Sequence, residues 1–203
     1  MRKKEQGRSM IETLAFLALV GLIITITFGA YKVANRRALE GRTQLLVAQL
    51  IDDIRMAYET RRALNANDLT PQRLFERGAI PRVLCSTDDC ATLNRHPLGG
   101  EIRIALLAAL PTDPNPNPNL NRRFTVTIDG LSRASCISLA RFPWVQGMQE
   151  RAIFQIRLND RFDILAARQA ISGQAGRLPP AFVAAINDNC GNAGNSLEFR
   201  VNK

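Results

Sequence analysis

Three hydrophobic patterns follow one another along the chain. From Thr13 to Tyr31 no charged side chain occurs, and at about 1.5 Å per residue a helix of that length crosses a hydrocarbon core of roughly 30 Å. From Leu39 to Tyr58 the apolar positions recur at helical spacing. Leu39, Leu46, Leu50, Ile54 and Ala57 fall together with Val47, Ile51 and Tyr58 beside them, while Arg42, Gln49, Asp52, Asp53 and Arg55 lie largely elsewhere. That is an amphipathic helix continuing the uncharged one. No proline intervenes between Ser9 and Arg62, so the two predict a single helix of roughly 50 residues, about 80 Å long. Gly21, Gly29 and Gly41 are its expected weak points, each costing up to about 1 kcal/mol in a helix interior.

The third pattern has period two. Ile102, Ile104 and Leu106; Phe124, Val126 and Ile128; Ala152, Phe154, Ile156 and Leu158; and Leu197, Phe199 and Val201 alternate with more polar neighbours. They predict four strands of one antiparallel sheet, able to cover the amphipathic half of the long helix. Short helices are expected after Thr70 and Pro71, ending before Gly78; after Ser132; and after the proline pair Pro179 and Pro180, from their capping and N1 residues. The Pro/Asn-rich stretch 112–121 cannot form a ladder and predicts a solvated loop. The fold class is α+β, one globular domain on one N-terminal anchor.

The uncharged run is too long for the apolar core of a cleaved secretory signal. It is followed by Tyr31, Lys32, Arg36 and Arg37 rather than a small-residue cleavage site, so the segment stays in the protein. Four cysteines, Cys85, Cys90, Cys136 and Cys190, all follow it. An even number there suits disulfides and an oxidising compartment, which places the globular part outside the cytoplasm. Charge orients the anchor weakly, because Arg2, Lys3, Lys4 and Arg8 on one side compete with Lys32, Arg36 and Arg37 on the other.

Little in the sequence supports catalysis. His96 is the sole histidine; beside Pro97 and a glycine pair it reads as a turn residue. Cys85 and Cys90 could be half a metal site, but no second pair follows, and a local disulfide is the simpler expectation. Asp88 and Asp89 are adjacent and need not converge; Phe142 and Trp144 flank Pro143 as core or loop anchors. Neither GxSxG nor a phosphate-binding glycine loop occurs, and no cofactor is expected. The net charge of +9 would favour nucleic acid, anionic lipid or acidic cell surfaces. The basic residues are scattered without interleaved aromatics, so ordinary solvation is preferred to nucleic-acid binding.

Gly7 followed by Ser9, Met10, Ile11 and Glu12, then an apolar helix containing Gly21, resembles the processing signal of type IV prepilins and pseudopilins. The segments HPLGGEIRI (96–104), FTVTIDGLSRASCISLA (124–140) and CGNAGNSLEF (190–199) are similar to the glycine-pair, helix-cysteine and terminal cysteine-strand segments of type IVb pilins, including thin-pilus subunits of conjugation systems. The likeness touches about half the chain. It implies a leader at 1–7, a transmembrane and polymerisation helix at 8–34, and a globular pilin domain at 35–203 that includes the amphipathic half-helix. It further implies cleavage between Gly7 and Arg8 by a prepilin peptidase and methylation of the new N-terminus. Arg8 stands where the family usually has an apolar residue, and Gly29 where relatives of the other branch carry a proline.

By resemblance, Cys136 pairs with Cys190, which leaves Cys85 with Cys90. The implied partners are further copies of the chain in a helical filament and the pilus assembly machinery of the inner membrane. The globular domain is periplasmic before assembly and the pilus extracellular after it. A minor pilin or pseudopilin of a secretion or DNA-uptake system is the neighbouring reading. A membrane-anchored envelope enzyme or binding protein is the distant one. Glu12 has two readings. With Ser9 it matches a capping box, S-x-x-E, for the helix. In pilins a carboxylate here is taken to pair with the N-terminal amine of a neighbouring subunit.

Overall fold

The computed structural model describes residues 6–61, 64–107, 123–144, 153–169 and 179–202; the Pro/Asn-rich stretch lies outside them. Two compact units divide the chain, Met1–Leu39 and Glu40–Lys203. Helix α1 is Gln6–Tyr58, 53 residues. It begins before the expected Ser9 and stops four residues short of Arg62. At its C-terminal end the Tyr58 hydroxyl donates to the carbonyl of Asp68, and Arg61 N–H closes a tight turn on the carbonyl of Tyr58 at 3.0 Å.

In the first unit the apolar side chains from Met10 to Val33 are exposed, apart from the half-buried Val20. In the second, α1 supplies the apolar spine. Val47, Leu50, Ile51, Ile54 and Tyr58 are buried, whereas Leu46 and Ala57 are only partly covered. The buried stripe is thus centred one position C-terminal to the expected one, and it extends back through two polar residues, Thr43 and Glu40.

The spine packs on a five-stranded antiparallel sheet, in one core cluster with Phe124, Val126, Ile128, Leu197, Phe199 and Val201. The strands are β1 Ile102–Leu106, β2 Arg123–Leu131, β3 Ile153–Leu158, β4 Phe162–Asp163 and β5 Asn195–Asn202. Their order is β1-β2-β5-β3-β4, so the last strand of the chain is the central one. Pairing sets Ile104 opposite Val126 and Val126 opposite Phe199, which aligns their apolar faces.

Helix α2, Pro71–Glu76, precedes the strands, and between them lie α3 Arg133–Arg141, α4 Ile164–Gln169 and α5 Pro180–Asn189. Thr70 caps α2 and Ser132 caps α3, their hydroxyls accepting from Arg73 N and Ser135 N respectively. Gly78, at φ +73°, takes the left-handed position after α2.

Two expectations change. β3 does not hold strict alternation: its register against β5 shifts between Ile153 and Gln155. Ile153 therefore joins Ile156 and Leu158 in the core, while Phe154 turns outward beneath the Arg123 guanidinium, 5.0 Å from the ring centroid. The hairpin β3–β4 and helix α4 were not expected at all. Asn159, Asp160 and Arg161 make its loop, with Asn159 and Asp160 at φ +50° and +57° and Arg161 N–H on the carbonyl of Leu158 at 3.1 Å. The Asp163 carboxylate then caps α4 through Leu165 N and Ala166 N.

Candidate processing and assembly site

Gly7, Arg8 and Glu12 all have helical backbone at the start of α1. The helix starts earlier than Ser9. An N-cap residue has non-helical dihedrals, whereas Ser9 lies inside a helix already under way at Gln6. Glu12 is past the first turn and exposed.

Downstream of Glu12 the helix leaves little for water to satisfy. Thr13 Oγ1 donates to the carbonyl of Met10 at 2.9 Å, Thr25 Oγ1 to that of Gly21 at 2.5 Å and Thr27 Oγ1 to that of Ile23 at 2.7 Å. Hydroxyls that bond back to their own helix can enter hydrocarbon without an orphaned donor. Ile11, Leu14, Phe16, Leu17, Leu22 and Phe28 are each more than half exposed. From Met10 to Tyr31 the helix therefore presents an apolar surface with one carboxylate, Glu12, near its start.

In the second unit, Cys136 on α3 is joined to Cys190 at the end of α5, with Cα atoms 6.0 Å apart, and Cys85 is joined to Cys90. Around Cys190 the chain is held by a pair of amides, the buried Asn195 and the half-buried Asn159. Asn195 donates from Nδ2 to the carbonyls of Leu131 (3.0 Å) and Gly191 (2.9 Å), and its Oδ1 accepts from Gly191 N and Asn159 Nδ2. Asn159 in turn donates to the carbonyl of Asn189 and accepts from Ser196 N. These two asparagines deliver the chain from the disulfide into the central strand. Glu40, buried on α1, accepts from Ser138 Oγ on α3 at 2.7 Å. Neither the amide pair nor Glu40 was singled out from sequence. The available signals were an Asn-Asp hairpin turn and an acid seven residues before Val47, in line with the apolar stripe.

His96 is buried with both ring nitrogens engaged. Leu98 N–H donates to Nδ1 at 3.2 Å, so Nδ1 has no proton and Nε2 carries it to the carbonyl of Asp129 at 2.8 Å. The imidazole ties its turn to the end of β2. Asp88 and Asp89 lie on the exposed disulfide loop, and the Thr87 hydroxyl, then Ala91 N–H, lowers the Asp89 carboxyl below its ordinary value. Trp144 is a core anchor, its Nε1–H on the carbonyl of Leu139 at 2.8 Å and its ring edge-on to Phe199. Among the described residues no group of three or more His, Cys, Asp or Glu is placed to hold a metal.

The chain is similar to two solved pilins. A type IVb pilin from Salmonella typhi is 19% identical, with a TM-score of 0.49 over 82% of this chain and 99% of that one. TcpA, a type IV pilin from Vibrio cholerae El Tor biotype, is 18% identical, with a TM-score of 0.41 over 78% of this chain and 98% of that one. No protein-family model and no curated protein matches the sequence.

Proposed function

We propose that the protein is the structural subunit of a type IVb-like pilus. It is made as a membrane-anchored prepilin, cleaved between Gly7 and Arg8 by a prepilin peptidase, and polymerised through the N-terminal part of α1. The observation that carries this reading is the stretch Met10–Tyr31 of α1: exposed apolar side chains on a helix with back-bonded hydroxyls and one carboxylate, Glu12, near its start. Such a surface is stable only in lipid or against other copies of the same helix. The processing signal at Gly7 to Glu12 and the three downstream segments supply the family.

In this reading residues 1–7 are the leader and 8–34 the transmembrane and polymerisation segment. The disulfide-braced domain is periplasmic before assembly and extracellular in the filament, since both bonds need an oxidising compartment. The subunit's role is mechanical rather than enzymatic.

Mass spectrometry of protein recovered from sheared filaments tests the reading. The expected N-terminus is Arg8, methylated on its amine. Filament protein that still carries residues 1–7 would overturn it.

A further inference from the structure

His96, the sole histidine of the chain, is 2% exposed. It heads the turn that leads into β1, the edge strand of the described sheet, whose neighbour is β2. Four hydrogen bonds pass through this residue. Its N–H donates to the carbonyl of Gly100 at 3.0 Å, and its carbonyl accepts from Gly99 N–H at 2.7 Å. Its ring accepts from Leu98 N–H at Nδ1, 3.2 Å away, and donates from Nε2 to the carbonyl of Asp129 at 2.8 Å. Three of the bonds close the turn and the fourth fastens it to the end of β2.

The ring can do this only when neutral. A proton on Nδ1 gives it two N–H donors and no acceptor, so that it meets Leu98 N–H donor to donor at a buried site, where an unmatched donor is costly. Gly100 packs so close to the other nitrogen that a Cβ there would lie 2.5 Å from Nε2, which holds the ring in place while the turn is closed.

The charges around the ring do not replace the lost acceptor. On the β2 side the Asp129 carboxylate is occupied by Glu101 N–H and by Arg103, both at 2.8 Å. On the β1 side the exposed Glu101 carboxylate shares Arg103 at 3.3 Å. Arg95 precedes the ring in the chain and is exposed. The 3-10 turn Ala66–Leu69, packed beside β1, brings Asp68, which Arg61 holds at 2.9 Å. These acids and arginines are equal in number, so their fields largely cancel.

We propose that His96 is an acid-opened latch. Neutral, it closes the turn 96–100 onto the end of β2; protonated at Nδ1, it releases that turn and the start of β1 while the rest of the sheet holds. An imidazole released to water takes up its proton below about pH 6.5. The open turn therefore binds one proton more than the closed one, and closure weakens as pH falls, by up to about tenfold per pH unit. The latch follows from the ring and its partners and is independent of the pilus reading.

Amide exchange of segment 96–101 in the full chain, in detergent, is measured by mass spectrometry at pH 7.5 and pH 5 and divided by the free-peptide rate at each pH. Protection should fall by up to about thirtyfold at pH 5, with that of β5 unchanged. Because there is one histidine, ¹⁵N-labelled histidine gives a single ring to follow by NMR, and its imidazolium should appear over the same pH range. His96→Gln supplies an acceptor and a donor without a titration, so its protection should not differ between the two pH values. Asp129→Asn should keep the acid response.

Unchanged protection in wild type overturns the proposal, and so does a fall shared by β5, which would be general acid unfolding. A fall while the ring stays neutral, or one that Asp129→Asn abolishes, overturns it in favour of the carboxylate. An acid response kept by His96→Gln also overturns it. Should the Gln variant be open at both pH values, the wild-type ring signal decides: imidazolium appearing with the loss of protection upholds the latch, and a neutral ring overturns it.

Discussion

A Cβ built on Gly100 would lie 1.7 Å from the carbonyl oxygen of Asp129 and 2.5 Å from Nε2 of His96. The turn before β1 and the end of β2 thus touch backbone to backbone. The contact is reinforced by Glu101 N–H on the Asp129 carboxylate at 2.8 Å and by the ion pair of Arg103 with the same carboxylate at 2.8 Å. On the other side, Gly130, at φ +67°, would place a Cβ 2.9 Å from the Gly100 Cα. The glycine pair is here a packing requirement at one position and a conformational one at the other.

Gly100→Ala should therefore be the more damaging of two adjacent substitutions. It forces backbone apart and displaces His96, for which overpacking penalties of about 1–3 kcal/mol, occasionally more, are typical. Gly99→Ala meets open space and bears only its φ of +95°, costing roughly 1–2 kcal/mol. Urea midpoints of the full chain in detergent should fall in that order. A Gly100→Ala midpoint equal to wild type would show that the two segments separate freely.

The two disulfides should differ in weight. Cys136–Cys190 has a sequence separation of 54 and Cys85–Cys90 of 5, for which chain entropy gives about 4 and about 2 kcal/mol. The longer one also fixes the segment that leads into the central strand. Replacing Cys136 and Cys190 with Ala should lower the melting temperature clearly more than replacing Cys85 and Cys90. The reverse order would place the weak point of the domain at the exposed loop.

Tyr58 gives an alkaline signature. Burial, opposed by the Arg77 guanidinium 4.8 Å from its ring centroid, raises the phenol above its ordinary value of 10.0. An acid raised on folding favours the protonated form in the native state. Its contribution is complete below the unfolded value and lost as pH rises through the folded one. Stability should decline above about pH 10, and Tyr58→Phe should flatten that decline while losing the bond to Asp68 at every pH. Parallel wild-type and mutant curves between pH 9 and 11 would assign the decline to other groups.

Much of this architecture was legible because it is periodic. The long helix, three strands in their expected alternation and the caps at Thr70 and Ser132 follow from spacing and local chemistry. β4 was hidden because two residues carry no period, although the Asn159–Asp160 turn and the Asp163 cap announce it locally. The outward turn of Phe154 depends on a bulge that only pairing with β5 creates. Glu40 with Ser138 and His96 with Asp129 are 98 and 33 residues apart in sequence, so no local rule joins them. At the candidate site the motif residues were legible, but the helix start was not: helical backbone begins at Gln6 and overrides the start that Ser9 would mark.

That override sharpens the expected behaviour of Glu12→Ala. Glu12 is exposed and lies past the first turn of α1, so its loss should change monomer stability little. Cleavage after Gly7 would make it the fifth residue and create an amine on Arg8. In a bundle of such helices, excluded from water, each amine needs a carboxylate, and stranding one charge of a buried pair typically costs about 3–5 kcal/mol. Repeated at every subunit, that penalty should abolish filaments while the mutant still inserts, forms both disulfides and loses its leader. Glu12→Gln should behave as Glu12→Ala, because the amide keeps the shape and removes the charge. The measurement compares membrane-bound subunit with sheared filament for wild type and both mutants. Normal filament yield from Glu12→Gln would sink the charge pairing, and leave the carboxylate without an assembly role.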